Sequence, residues 1–233
     1  MSEEMGVFQK ITGIFSAPRQ TFEAIDQKPT WLVPFLIMVV FFLIMQTLTI
    51  DIQMADRMTI MEAKDLPQEQ LNAMRGQFQG PAKYIGFVVG PIMILVFWAI
   101  FAGIFYMAGN LTIGGDTSFK KVFAIISWSS LIGSVSMLLM TFLMMSKGTS
   151  NGIAMDLTVL LDTPPLGAEK STLYHILAKF DLFTIWGLFL WITGLSVTYK
   201  STVKKAAVPI IGLWIIWIII SVSFAGFFEN FGM

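Results

Sequence analysis

Five runs of 17 to 25 residues carry no Asp, Glu, Lys, Arg or His. They fall at roughly 31–50, 84–108, 122–145, 182–198 and 206–228 of a 233-residue chain. About 30 Å of hydrocarbon takes about 20 helical residues to cross, so runs of this length read as membrane spans. Backbone N–H and C=O groups find no water inside a bilayer, which leaves the helix as the conformation for each run. The expected fold class is all-α: a polytopic membrane protein, a five-transmembrane-helix bundle. The composition agrees, with 55% hydrophobic and only 13% charged residues. The chain divides into an amphipathic cytoplasmic or interfacial segment over 1–30 and a five-span membrane domain over 31–233.

The orientation follows from the basic residues. With the N-terminus cytoplasmic, eight fall inside (Lys10, Arg19, Lys28, Lys120, Lys121, Lys200, Lys204 and Lys205) and seven outside. The inside lysines crowd two short connections, whereas the outside ones spread over longer loops. Five crossings then put the C-terminus outside. The first apolar run follows a mixed-charge segment and lacks a small-residue cleavage site, so it is expected to be a span retained in the mature protein.

One connection stands out, Gly114-Gly115-Asp116-Thr117-Ser118-Phe119-Lys120-Lys121. The glycines suit a turn, and Thr117 or Ser118 can cap the helix that follows. Lysines are unfavourable in a first helical turn, where the N–H groups are already partly positive. The simplest account is that Lys120 and Lys121 reach lipid headgroups and fix orientation. A docking loop for a cytoplasmic partner is the functional alternative.

Outside the spans, apolar residues recur at helical spacing. Val7, Ile11, Ile14 and Phe15, then Phe22 and Ile25 after the break at Pro18, suggest two short helices lying in the headgroup region. Trp31 between Pro29 and Pro34 suits an interfacial anchor. In the first outer loop, Met54, Met58 and Met61 share a face, and Leu71, Met74 and Phe78 form a stripe after a cap-like start at 65–68. In the second, Ser171 is placed to cap a segment containing Leu173, Ile176 and Leu177. Both loops are expected to be helical and to form a small cap.

Small residues cluster within the spans. Ser127, Ser130 and Ser134 lie near one face of the third span, and Ser129, Gly133 and Ser136 near another. Gly187 and Gly194 are one heptad apart in the fourth, and Pro91 should bend the second. Such residues let helices approach closely. The candidate packing or path residues are Ser130, Gly133, Ser134, Thr184, Gly187 and Gly194.

No ionisable residue lies deep in a span, which argues against proton-coupled transport. There is no cysteine and one histidine, His175, so Cys-ligated metals and thiolate chemistry are excluded. No nucleophile elbow, zinc-hydrolase or phosphate-loop motif is present. The expectation is a protein that is not an enzyme, with no cofactor, no metal and no nucleic-acid partner.

The order of motifs carries a resemblance. Phe15-x-x-Pro18-x-x-x-Phe22-x-x-Ile25 and Lys28-Pro29-Thr30-Trp31-x-x-Pro34 lead into the first span. The Gly114–Phe123 stretch leads into the third. Phe180-Asp181-Leu182-Phe183-x-x-Trp186 leads into the fourth, which ends at Gly194-Leu195. The chain resembles the bacterial branch of the Yip (Ypt-interacting protein) domain family over nearly its whole length. The resemblance implies a multi-pass protein of the bacterial cell (inner) membrane. Eukaryotic relatives are linked to Rab-type GTPases and vesicle traffic, and some bacterial ones look like companions of ABC-type efflux systems. The segment at Asp26–Pro29 departs from the family's Asp-Leu-x-Gly-Pro motif, which makes GTPase binding doubtful here. Candidate partner or interfacial contacts are Pro18, Phe22, Trp31, Gly114, Gly115, Ser118, Phe119, Lys120, Lys121 and Trp186.

Two functions compete. The first is a membrane scaffold or adaptor that contacts lipids and binds another membrane protein or itself. The second is a small permease, channel or lipid-handling protein with a path along spans three and four. A packed bundle favours the first. A cavity lined by Ser130, Ser134, Thr184 and Gly187 favours the second.

Overall fold

A computed structural model describes residues 5–63 and 68–225. The helices are α1 (Val7–Ser16), α2 (Pro18–Gln27), α3 (Leu32–Glu62), α4 (Gln68–Gln79), α5 (Ile85–Thr112), α6 (Phe119–Ser129), α7 (Leu131–Lys147), α8 (Thr172–Leu177), α9 (Leu182–Thr198) and α10 (Val203–Ser223). Single 3-10 turns occupy Pro81–Tyr84 and Leu157–Leu160. Among the described residues there is no named strand, only an isolated bridge between Asp156 and Asp181.

Four stretches are long and apolar enough to cross a membrane: α3, α5, α6 and α7 taken together, and α10. The fifth apolar run is α9, a shorter helix of 17 residues, about 26 Å at the helical rise. It runs between the same two ends of the molecule as the longer helices. At one end Asp26 at the close of α2 bonds to Lys121 of α6 and Thr198 of α9, and Lys205 of α10 reaches the carbonyl of Ile113 after α5. At the other end Asp56 of α3 bonds to Thr149 and Ser150 after α7. The protein is therefore an all-α, polytopic bundle with its polar connections collected at two ends.

Several boundaries differ from the sequence expectation. The first span does not stop near residue 50. Its helix continues to Glu62, so the face of Met54, Met58 and Met61 belongs to α3 and not to a separate loop helix. The second outer loop is mostly irregular, with one 3-10 turn and the six-residue α8. Ser171 does cap α8, accepting from the N–H of Tyr174. The 65–67 part of the expected cap, Lys64, the side chains of Met74 and Phe78, and the end of the fifth run past 225 lie outside the described residues.

The two N-terminal helices pack directly on the bundle. Their apolar faces close one end of the bundle: Ile14, Phe22 and Ile25 are completely buried, and α2 packs on α9 and α6. Pro18 occupies the first turn of α2, where its missing N–H costs nothing. A Cβ on Gly13 would overlap the hydroxyl of Thr21, so only glycine lets the two helices meet this closely.

The third apolar run is interrupted. α6 ends at Ser129 and α7 begins at Leu131. The hydroxyls of Ser127, Ser130 and Ser134 donate to the carbonyls of Ala124, Ser127 and Leu131. Such back-bonding competes with the regular ladder and bends helices. α6 is wedged between α5 and α9, its residues from Ala124 to Ser129 all buried. Beyond the break, α7 packs chiefly against α3.

The glycines divide accordingly. A Cβ on Gly194 would overlap Cγ2 of Ile125, a completely buried side chain on α6. Gly133 and Gly187 would meet nothing within 4 Å. Gly194 is thus a packing residue, whereas Gly133 is not. Gly194→Leu should lower stability by about 1–3 kcal/mol through overpacking, and Gly133→Leu should leave it nearly unchanged. Thermal denaturation in detergent checks both.

Candidate functional site

Two constellations gather the residues singled out by sequence. The first is a polar clasp at the N-terminal end. Asp26 Oδ2 accepts from Lys121 Nζ at 2.8 Å, and Oδ1 accepts from the Thr198 hydroxyl at 2.7 Å. Thr117 and Thr198 share a further hydroxyl–hydroxyl bond of 2.8 Å. One carboxylate thereby joins α2, the start of α6 and the end of α9. Beneath it Trp128, fully buried, donates its indole N–H to the carbonyl of Thr30 at 2.7 Å.

This geometry adds a structural role for Lys121. Its ammonium holds Asp26, a structural partner within the protein, while Lys120 stays exposed. Ser118 is the N-cap of α6, but its side chain makes no capping bond, and Thr117 turns instead to Thr198. Gly114 and Gly115 form the expected turn with φ of +71° and +115°, values open to glycine at little cost. Phe119 is 43% exposed and stacks on Phe123. Trp31 packs edge-on against Phe123, so it is tied to the bundle and does not serve solely as an interfacial anchor. Phe22 is core, and Trp186 packs against the core from its edge.

The second constellation is a cavity of about 950 Å³ on the far side of the break. α7, α9 and α10 line it, with Phe101, Ile104 and Phe105 from α5. Connection residues 153–156 and 178–181 border its outer end. The break explains it. α6 fills the space between α5 and α9, and where α7 turns toward α3 that space is left open. The wall is aromatic and aliphatic, with Trp191 stacked on Phe101 and edge-on to Phe105. Volumes of about 300–1,000 Å³ lined largely by apolar groups are those of small-molecule sites.

Of the six small or polar positions proposed as packing or path residues, the cavity gathers Ser130, Gly133, Thr184 and Gly187. It does not gather the other two. Ser134 is buried away from it with its hydroxyl on Leu131, and Gly194 packs on Ile125. The cavity instead takes the neighbouring face, Ser129, Gly133 and Ser136. Asp181 lines the outer end but is occupied as the N-cap of α9, accepting from the N–H groups of Phe183 and Thr184. Asp156 likewise accepts from the N–H of Thr158.

Sequence reasoning missed Asp26 and Asp56. Asp26 sits at i+4 from Phe22 and one position past Ile25, so it flanks a buried apolar face. Asp56 is 7% exposed and accepts two hydroxyls and one N–H from Thr149 and Ser150, clasping the other end of the bundle. The consecutive Thr149-Ser150 is a weak signal for such a site, because hydroxyl pairs are common in loops.

These helices, collected between two polar ends around an uncharged interior, define a multi-pass membrane protein. Residues 12–225 match the model of the Yip1 domain. The chain belongs to the Yip1-domain family of membrane proteins. Comparison with curated proteins and with solved structures finds no match.

The clasp yields a test. The pair is only partly buried, with side-chain exposures of 32% for Lys121 and 16% for Asp26. A double-mutant cycle on Asp26→Ala and Lys121→Ala should return a coupling of about 1 kcal/mol, near the upper end for a partly screened pair. Lys120→Ala should show no coupling to Asp26. Thermal unfolding at matched detergent and salt measures all three.

Proposed function

We propose that the protein is a non-enzymatic lipid-handling membrane protein that holds one membrane amphiphile in the cavity between α5, α7, α9 and α10. The observation that carries this reading is the cavity itself, which is lined by three of the four positions that would separate a path from a packed bundle, Ser130, Thr184 and Gly187. Its wall suits an apolar chain. Ile216, Trp217 and Ile220 of α10 line it and belong to a helix with a largely exposed apolar surface, so the cavity communicates with the lipid-facing side. A scaffold that binds a second membrane protein is the other reading. It asks for a closed bundle, and the open space beyond Ser130 tips the balance away from it.

Filling the cavity tests the reading. Gly187→Phe adds a ring where a Cβ meets nothing, so the fold should hold. The wild-type protein should retain bound amphiphile through gentle purification, seen by native mass spectrometry, and Gly187→Phe should lose most of it at an unchanged melting temperature. Equal occupancy in both, or none in either, would remove the proposal.

We also propose that the clasp end, with Lys120 and Lys204, faces the cytoplasm and that Lys170 faces the opposite side. The density of lysines in the two short connections supports this orientation. The chain is free of cysteine, so single cysteines report cleanly. In intact cells an impermeant thiol reagent should label Lys170→Cys and spare Lys120→Cys and Lys204→Cys; the reverse pattern would invert the topology.

A further inference from the structure

The connection between α7 and α9 carries large apolar side chains that the protein leaves uncovered. Val159 and Leu160 of the 3-10 turn are 69% and 74% exposed, and Leu173 and Ile176, one turn apart on α8, are 53% and 36% exposed. Side chains of this kind are unfavourable in open water. The height of the segment along the bundle removes the conflict. Phe180, just ahead of α9, sets its ring edge-on against Trp214 of α10, with centroids 5.2 Å apart. The carbonyl of Phe180 accepts from the N–H of Leu157 at 3.2 Å, which brings the 3-10 turn alongside, and α8 itself packs on α10. Yet α10 runs on past Trp214 to Ser223, about 13 Å farther toward the Asp56 end. Ile216, Ile219 and Ile220 keep that stretch apolar and exposed. The 3-10 turn and α8 therefore stand beside a membrane-crossing helix, not beyond its end.

We propose that the 3-10 turn and α8 are seated in the lipid leaflet at the Asp56 end, with Val159, Leu160, Leu173 and Ile176 among the upper acyl chains. Lipid is the occupant of this apolar surface because the surface adjoins the lipid-facing side of α10, below the outer end of that helix. The charges suit an element lying at the headgroup boundary. Lys170 and Lys179 bracket α8, and long basic side chains reach headgroups while their stems stay on apolar surface. The polar stretch between the turn and α8 climbs away from the bilayer: Gly167 lies against Ile60, one helical turn past Asp56 on α3. Glu169, two residues on, is exposed. The same segment frames the cavity, since residues 153–156 and 178–181 border its outer end. That border then lies at the edge of the leaflet and not in open water. The assignment concerns the outward surface of the segment and holds whether or not the cavity is occupied.

Single cysteines in this cysteine-free chain test the seating. Leu160→Cys, Leu173→Cys and, as the aqueous reference, Glu169→Cys are each labelled with a nitrobenzoxadiazole dye, and the full-length protein is placed in phosphatidylcholine nanodiscs. All three positions are exposed, so the label should leave the fold intact. Two quenchers are compared: phosphatidylcholine carrying a nitroxide high on its acyl chain, and iodide in the buffer. The nitroxide lipid should quench the labels at 160 and 173 several-fold more than the label at 169, and iodide should act in the opposite order. Iodide reaching 160 or 173 as readily as 169 would place the segment in water and overturn the proposal. Quenching of either site by neither reagent would mean that protein covers it, a second copy or another part of this chain, and would overturn it equally. The readout does not involve the cavity, so loss of bound amphiphile and loss of lipid contact are scored separately.

Discussion

The break at Ser130 is the constraint on which the rest of the molecule turns. An uninterrupted helix over the third apolar run would carry its second half along the line set by α6, between α5 and α9. That line is the centre of the bundle, and the cavity would be filled. Three serine hydroxyls donating to carbonyls three residues back instead withdraw acceptors from the regular ladder at this point. The second half then leans on α3. Dense packing on one side of the break and open space on the other come from one local choice in the backbone.

Such a division needs both ends of the bundle held firmly, and each is held by one carboxylate. Asp26 joins the N-terminal helices to α6 and α9, and Asp56 joins the extension of α3 to the connection after α7. Hydrogen bonds to ionised groups contribute more than neutral ones, about 1.5–3 kcal/mol each where they are shielded. The Asp26 clasp lies over the most densely buried layer, with Trp128, Ile125, Phe22 and Leu195 all at or near zero exposure. The Asp56 clasp lies at the open end. It ties α7 to α3, the partner toward which the break directs it.

The class of fold was legible in the sequence because hydrocarbon leaves a chain so few options. Five uncharged runs leave little besides helices, and the small-residue faces at Ser129, Gly133 and Ser136 were visible as periodicity. What periodicity does not encode is which face meets a neighbour. Gly133, Gly187 and Gly194 look alike in sequence, yet only Gly194 sits against a side chain, because only it lies on the packed side of the break. The amphipathic N-terminal helices show the same limit. An apolar stripe asks to be buried, and either lipid or protein can satisfy it; the pairing of Asp26 with Lys121 and Thr198 settles the choice in favour of protein. That pairing spans 95 and 172 residues, a separation no local pattern reports. It also answers why lysine stands in the first turn of α6. The dipole penalty there is a few tenths of a kcal/mol to about 1 kcal/mol, and a carboxylate at 2.8 Å offsets it at Lys121.

The cavity's lack of deep charge fits an amphiphile better than an ion. A small ion crossing hydrocarbon needs replacement of its hydration by several oxygens or a countercharge. Ser130, Ser136 and Thr184 are too few and too scattered along an aromatic wall to supply that shell, and the hydroxyls of Ser130 and Thr184 are already spent on Ser127 and Asp181. A chain-like molecule asks for less: apolar contact along its length and a partner for each oxygen it buries. The tryptophans and phenylalanines of α5, α9 and α10 offer that apolar contact.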